Sequence, residues 1–537
     1  MVISTILPKA DLKPEMFKIV YCLPLFLGGL SVVFVGGEAV TYYVTPTPPP
    51  NSDCPDGLPC QTLQYYLNSS LIEEGIHLTM IFLTGHHAGV CTKTILKSTF
   101  FNATGVTQDV IINCTNIEFI NATAINFEKV TLDHWYISSP CPPVLKLQML
   151  SVVAQNQTHI HITHNQYALS NYIGLRHCLF RNSSLSGTLY FNNINRIMNT
   201  RVAMVVNSST INIGSNTNMT FINNSVDGAM TVFNSILNIG SDSNMIFINN
   251  SAALGNAGAM SLITSIMTIR NHSIITFVDN LAPDGGAMAL FNHSSLNIGR
   301  DTSMTFINNL ADRGGAMILS SSTLNIENDT TITFINNSAV RDVGGAMALI
   351  SSTMNIGNDV DMTFFDNSAP EGGAMALFNC STVNIRRDTN MTFINNLAHR
   401  GGALTLNLST LNIENDANMT FINNSAVRDV GGAMALISST VNVGNNADMT
   451  FIDNSAPDGG AIGLFNYSTM NTGRDTNMTF INNLAGRGGA LNLILSTLNI
   501  ECDTNMTFIN RCNLHTELST RSWRCCVYGI FQTEHWE

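Results

Sequence analysis

Residues 295–317 read Ser295-Leu296-Asn297-Ile298-Gly299-Arg300-Asp301-Thr302-Ser303-Met304-Thr305-Phe306-Ile307-Asn308-Asn309-Leu310-Ala311-Asp312-Arg313-Gly314-Gly315-Ala316-Met317. Two stretches alternate with a period of two. Met304 and Phe306 share one face of a strand while Thr305 and Ile307 share the other, and Leu296 and Ile298 flank Asn297 in the same way. A third short run follows the glycines, as where Met288 and Leu290 flank the small Ala289. Segments this short, parted by Gly-rich or Asn-rich turns and without helical spacing, predict three strands with the Met and Phe side chains inward.

The unit recurs. Phe221, Phe247, Phe277, Phe306, Phe334, Phe364, Phe393, Phe421, Phe451, Phe480 and Phe508 stand 26 to 30 residues apart, which is the signature of a solenoid. From Phe277 the intervals run 29, 28 and 30 and then repeat, a super-period of 87 residues. The strings around INNLAxRGGA, INNSAVRDVGGAMALISST and DNSAPxGGA follow that cycle, as expected from duplicated three-coil blocks. Units of this kind form the coils of a parallel β-helix, with equivalent strands stacked about 4.8 Å apart and ten intervals spanning roughly 50 Å. Stacking places like on like. A Phe ladder and Met/Leu ladders fall inside, and Asn224, Asn250, Asn280, Asn309 and Asn337 form a column whose amides can bond along the axis. The pairs Gly285-Gly286 and Gly314-Gly315 recur at one corner, where a positive φ or a close backbone approach would exclude a Cβ.

Of 537 residues 45% are hydrophobic and 11% charged, so the chain can bury a core, unlike a disordered segment. A net charge of -13 without a basic patch removes the electrostatic basis for nucleic-acid binding. Met16-Phe17-Lys18 precedes an apolar run from Ile19 to Val35 and then Gly37-Glu38-Ala39, so residues 1–39 are expected to be a secretory signal, or alternatively an uncleaved anchor. Either reading exports the body to a secreted or cell-surface location. Residues 40–100 are assigned to an N-terminal cap and first coils, 101–200 to divergent coils and 201–510 to regular coils. Residues 511–537 form a tail without the repeat, either a cap over the last coil or the product of a broken reading frame.

Cys54, Cys60, Cys91, Cys114, Cys141 and Cys178 are confined to the non-repeating front, an even number that suggests up to three disulfides, with Cys54 and Cys60 closing a small loop. Cys380 stands where sister coils have His293 and Tyr467, and Cys502 where they have Asn328 and Asn415. Both are expected to be drifted positions and not bridges. More than twenty N-x-S/T sequons, among them Asn68, Asn102, Asn121, Asn218, Asn390 and Asn477, permit glycosylation, although an Asn/Thr-rich repeat produces them by composition alone.

The pairing of F-x-x-N (Phe306 to Asn309, Phe334 to Asn337, Phe393 to Asn396, Phe421 to Asn424) with a following G-G-A-[ILVM] resembles the repeats of the chlamydial polymorphic outer membrane proteins, which also occur in eukaryotic surface proteins. The resemblance covers about residues 201–510. It implies a right-handed parallel β-helix and an exposed adhesive or structural role, but the aromatic-rich barrel of the bacterial members has no counterpart after Phe508. The front, with Tyr42-Tyr43-Val44, the Pro-rich 45–50 and Cys60-Gln61-Thr62-Leu63, is similar to the capped opening of eukaryotic secreted β-helix proteins.

An enzyme is the rival reading, since polysaccharide lyases and hydrolases use β-helices and need clustered carboxylates beside Arg or Lys. Asp284, Asp312, Asp342, Glu371, Asp429 and Asp458 recur in register before the glycines and read as turn chemistry, so catalysis is not expected. His159, His161 and His164 lack the further ligands a metal site needs, His86-His87 reads as a loop pair, and no calcium-roll nonapeptide occurs. No metal or other cofactor is expected. The sequence therefore points to a non-enzymatic β-helix rod whose partners are extracellular glycans or surface proteins, with a polysaccharide-binding wall as the alternative. Any membrane contact would come through the N-terminal segment or through a C-terminal anchor beyond this sequence.

Overall fold

The structure, a computed structural model, describes residues 204–224, 228–253 and 257–510 in full, and separate strands between 39 and 192 and between 514 and 532. Every described element is a strand or a turn. One coil runs through Met288–Phe291, Ser295–Ile298, Ser303–Ile307 and Leu310–Arg313 before Met317 begins the next. Each strand pairs in parallel with its equivalent one coil later: Met288 with Met317, Leu296 with Leu324, Phe306 with Phe334, Ala282 with Ala311. The protein is thus an all-β parallel β-helix.

Inward and outward positions alternate as the period of two demands. Met304 and Phe306 are buried and Thr305 and Ile307 half-exposed, and the same pattern holds in Thr353–Ile356 and Asn390–Ile394. Successive rings from Phe221 to Phe508 stack with centroids 4.6 to 5.1 Å apart and planes within 11°. That spacing is the strand pitch, so the backbone imposes the stack and the rings fill it.

The Asn that follows each Phe by three residues closes the inner corner. Asn309 is 1% exposed, yet every polar atom of its amide is used. Its Nδ2 donates to Asn337 Oδ1 at 2.9 Å and to the Phe277 carbonyl at 3.2 Å, while its Oδ1 accepts from Asn280 Nδ2 at 2.9 Å and Asn280 N at 3.1 Å. A side-chain amide has two donors and two acceptor sites, so a column of amides satisfies itself with none left over. The bond to the previous coil's backbone carbonyl ties each Asn to the strand that carries the Phe. A buried Ser column repeats the device at the next corner, with Ser265 N donating to Ser294 Oγ and Ser352 N to Ser381 Oγ, each at 3.1 Å.

The structure adds a fourth strand to the expected three. Leu281–Asp284, Leu310–Arg313, Ser338–Ala339, Ser368–Glu371, Leu397–Arg400 and Ser425–Ala426 form a separate six-stranded sheet. Its inward residue is only an alanine, such as Ala311 at 2% exposure, so the segment carries no large apolar alternation and reads as a turn. The glycines then lead back. Gly314 has φ +59 and Gly344 φ +68, while a Cβ on Gly315 would collide with the Gly345 carbonyl oxygen. The first glycine supplies the left-handed turn, and the second lets adjacent coils touch through their backbones. This strap covers a small second core of Ala289, Ile318, Ala348 and Ala376, on the outer face of the methionine strands, with Ala257 and Val343.

The stack extends in both directions beyond the regular repeat. Ala39–Thr45, His77–Phe82, Phe100–Gly105, Ala124–Glu128, Lys146–Leu150 and Tyr172–Arg176 pair in succession up to Met204–Asn207. Leu514–Glu517, Thr520–Trp523 and Tyr528–Gln532 lie on the last regular coil, with Phe531 in register with Phe508. His86 and His87, expected in a loop, belong to strand Gly85–Gly89, where Ile111 and Ile112 are their register partners. Of residues 1–39, read as a signal, 1–38 lie outside the described residues and Ala39 opens strand Ala39–Thr45.

Candidate functional surface

Five of the six acidic residues ahead of the glycines, all but Asp342, are engaged by arginines one coil away. Arg313 grips Asp284 with both prongs, Nε to Oδ1 at 2.7 Å and a terminal nitrogen to Oδ2 at 2.9 Å. Arg487 does the same to Asp458 at 2.7 and 2.6 Å. Arg341 lies 3.3 Å from Asp312, and Arg400 lies between Glu371 at 3.3 Å and Asp429. The bidentate bond to Asp284 is the largest influence on Arg313 and raises its pKa above the ordinary guanidinium value, against the opposing effect of burial.

Sequence reasoning took these acids as turn residues and missed the pairing. The ladder depends on the offset of one coil, which places Asp284 opposite Arg313 and Glu371 opposite Arg400. Within each three-coil block the order is acid, arginine, acid, so two acids meet wherever one block abuts the next. Glu371 follows Asp342 at such a junction. Burial raises its pKa, with Asp342 and Asp429 adding to the effect and Arg400 opposing it, and its Oε2 is buried without a partner.

A carboxyl whose folded pKa lies above its unfolded value of about 4.3 stabilises the fold fully below that value and loses the contribution as pH rises through the folded pKa. Glu371→Gln mimics the protonated form. It is expected to raise the melting temperature at neutral pH and to give no gain below about pH 4. Melting curves across this range check it, and a gain independent of pH would refute the account.

Of the sequon residues, Asn218, Asn390 and Asn477 are exposed along one edge of the phenylalanine wall. Asn390 donates to Asp361 at 3.0 Å and accepts from Asn418 at 3.1 Å. Asn68 and Asn121 lie outside the described residues, and Asn102 sits in strand Phe100–Gly105, whose side chains are not described. The same holds for the front cysteines: Cys60 and Cys114 are in strands without described side chains, and Cys54, Cys91, Cys141 and Cys178 lie outside the described residues. His159 and His161 occupy strand His159–Thr163, and His164 lies outside the described residues.

Cys502 corrects an expectation, because it is disulfide-bonded. Alignment with Asn328 and Asn415 compares it only with its sisters in the repeat, which says nothing about a sulfur partner elsewhere. Cys380 is a free, exposed thiol at φ 62, matching His293 at φ 61 and Tyr467 at φ 63. Among the described residues no group of three or more His, Cys, Asp and Glu is placed to hold a metal.

The outer walls themselves differ. The leucine wall carries an amide ladder, with Asn325 donating to Asn297 and Asn355 to Asn325, each at 2.8 Å. The methionine wall lies under the glycine strap. The phenylalanine wall shows threonines and isoleucines, half-exposed in each coil. Compared with known protein families and with characterised proteins, the chain matches none.

Proposed function

We propose that the chain is a secreted or cell-surface rod with an adhesive or structural role and no catalytic activity, built from polymorphic-outer-membrane-protein-type repeats. The observation that carries this reading is the long register of identical outward residues. The Thr of Ser303–Ile307 recurs in every coil from Thr276 to Thr507 and the Asn of Thr323–Ile326 in every coil from Asn297 to Asn499, so a contact made by one coil is offered again about 4.8 Å further on. That suits a spacer or a multivalent surface, whereas a catalytic centre needs a unique constellation. Of the acids that would supply one, Asp284, Asp312, Glu371, Asp429 and Asp458 are tied to arginines of neighbouring coils. The sequons at Asn218, Asn390 and Asn477 suit a glycoprotein whose sugars stand off the wall without entering the core.

A second reading, a lectin-like wall for extended polysaccharide, is favoured by the leucine-wall amides. In that ladder Asn325 spends one N–H and one acceptor site on its neighbours, which leaves an N–H and a lone pair for a sugar hydroxyl. A glycan array probed with the full chain separates the two: saturable binding to one glycan class supports the lectin, and a blank array supports the rod. Glycan cleavage abolished by a single acidic substitution, such as Asp342→Asn, would overturn both.

A further inference from the structure

We infer that the phenylalanine wall is a pairing face for a second copy of this chain, so that two rods associate side by side. The outward residues of this wall form two adjoining columns. One is threonine in every coil from Thr276 to Thr507, and the other runs through Ile307, Ile335, Phe365, Ile394, Ile422 and Ile452, all in register. All of these are half-exposed. On either side lie Asn and Asp columns, such as Asn390 and Asn418 on one margin and Asn308 with Asn336 on the other. An apolar centre with a polar rim is the anatomy of an interface.

Size and shape identify the occupant. Eleven strands at about 4.8 Å and five residues at about 3.3 Å give a face of about 50 by 16 Å, roughly 800 Å². That is close to the roughly 800 Å² per partner of a standard interface. The face is also flat. Ring planes in the underlying ladder turn by 11° or less per coil, against about 20–25° per strand in ordinary sheets. Flat sheets of equal pitch can interdigitate along their whole length, with backbones about 10 Å apart. A second copy supplies the same pitch, the same flatness and the same β-branched columns. A membrane surface would instead call for a basic or tryptophan-rich margin, whereas at the turn bordering this wall Arg300, Arg387 and Arg474 are each followed by an aspartate, Asp301, Asp388 and Asp475.

The inference concerns the chain whose rim sequons, Asn390 and Asn418 among them, carry no sugar, and it is tested by sedimentation velocity over a wide concentration range on the full chain made without N-glycans. The expected result is a dimer that dissociates on dilution. Ile335→Lys with Ile422→Lys is expected to abolish it, because each places a charge in the apolar centre. Should that variant fold poorly, Ile335→Thr with Ile422→Thr keeps the β-branched wall and is expected to shift the equilibrium toward monomer. Thr353→Lys with Thr410→Lys, on the leucine wall, should leave the dimer intact. A chain that is monomeric at every concentration, a dimer indifferent to the Ile335 and Ile422 changes, or one lost equally on changing the leucine wall would each overturn the inference.

Discussion

Replacing Asn337 by leucine is expected to destabilise the solenoid by about 4 kcal/mol, because it leaves two buried donors of the adjacent coil without acceptors at roughly 1–3 kcal/mol each. Asn309 donates both its backbone N–H, at 3.0 Å, and its Nδ2, at 2.9 Å, to Asn337 Oδ1. In return Asn337 Nδ2 serves Asn367 Oδ1 and the Phe306 carbonyl, each at 3.0 Å. Leucine fills the volume and answers none of these groups. Asn337→Asp separates the hydrogen-bond effect from the packing effect. Its carboxylate can still accept from Asn309 but turns an oxygen toward Asn367 Oδ1 and the Phe306 carbonyl. Burial and those oxygens raise the folded pKa of the new carboxyl. The aspartate variant is therefore least impaired below about pH 4, where the unfolded carboxyl is protonated, and loses stability as pH rises through the raised folded value. Urea denaturation at neutral and acidic pH checks the pair. The leucine variant should stay equally impaired across that range, and a leucine variant as stable as the parent would show that the amide column contributes nothing.

The ladders were legible in the sequence because stacking in register turns one residue's environment into a period, and Phe306, Asn309 and Gly315 report that period whatever the surrounding text. The fourth strand was not, since its inward face is a single methyl group at Ala282 or Ala311 and no alternation of bulk announces it. The arginine ladder was hidden for another reason. Asp284 and Arg313 are 29 residues apart, and nothing within either segment says that the two strand ends meet. Their 87-residue recurrence was visible, and once the coil offset is fixed it places an acid beside each of Arg313, Arg400 and Arg487. Cys502 was misread because comparison among sister coils treats a departure as drift. What could be inferred was what repeats, and what was missed lies in contacts between dissimilar positions.

The two glycines of one corner are expected to answer substitution differently from Gly486, which lies in the strap before the last regular coil. Gly315→Ala directs its methyl into the Gly345 carbonyl oxygen and to within 2.5 Å of the Ser338 carbonyl carbon, both backbone atoms of the next coil. No side-chain rotation relieves that contact, so the coils must part and the parallel ladder between them weakens. A loss above about 4 kcal/mol is expected, in the range reserved for severe steric defects. Gly314→Ala meets a different obstacle, a left-handed φ of +59 together with the Met317 carbonyl. Gly486→Ala is the control: the only atom near its added methyl is the Pro457 carbonyl oxygen at 3.2 Å, and its φ is not left-handed. That substitution should be close to neutral. In a solenoid each coil touches only its neighbours, so the Gly315 defect divides the rod into two cooperative units while the Gly486 variant keeps one. Limited proteolysis followed by mass mapping reads this directly. Cleavage concentrated between residues 310 and 345 in the Gly315 variant, and absent from the parent and from the Gly486 variant, is the expected pattern. Equal protease resistance in all three would mean that the backbone contact at the second glycine is slack, and that the Gly-Gly pair is needed only for its turn.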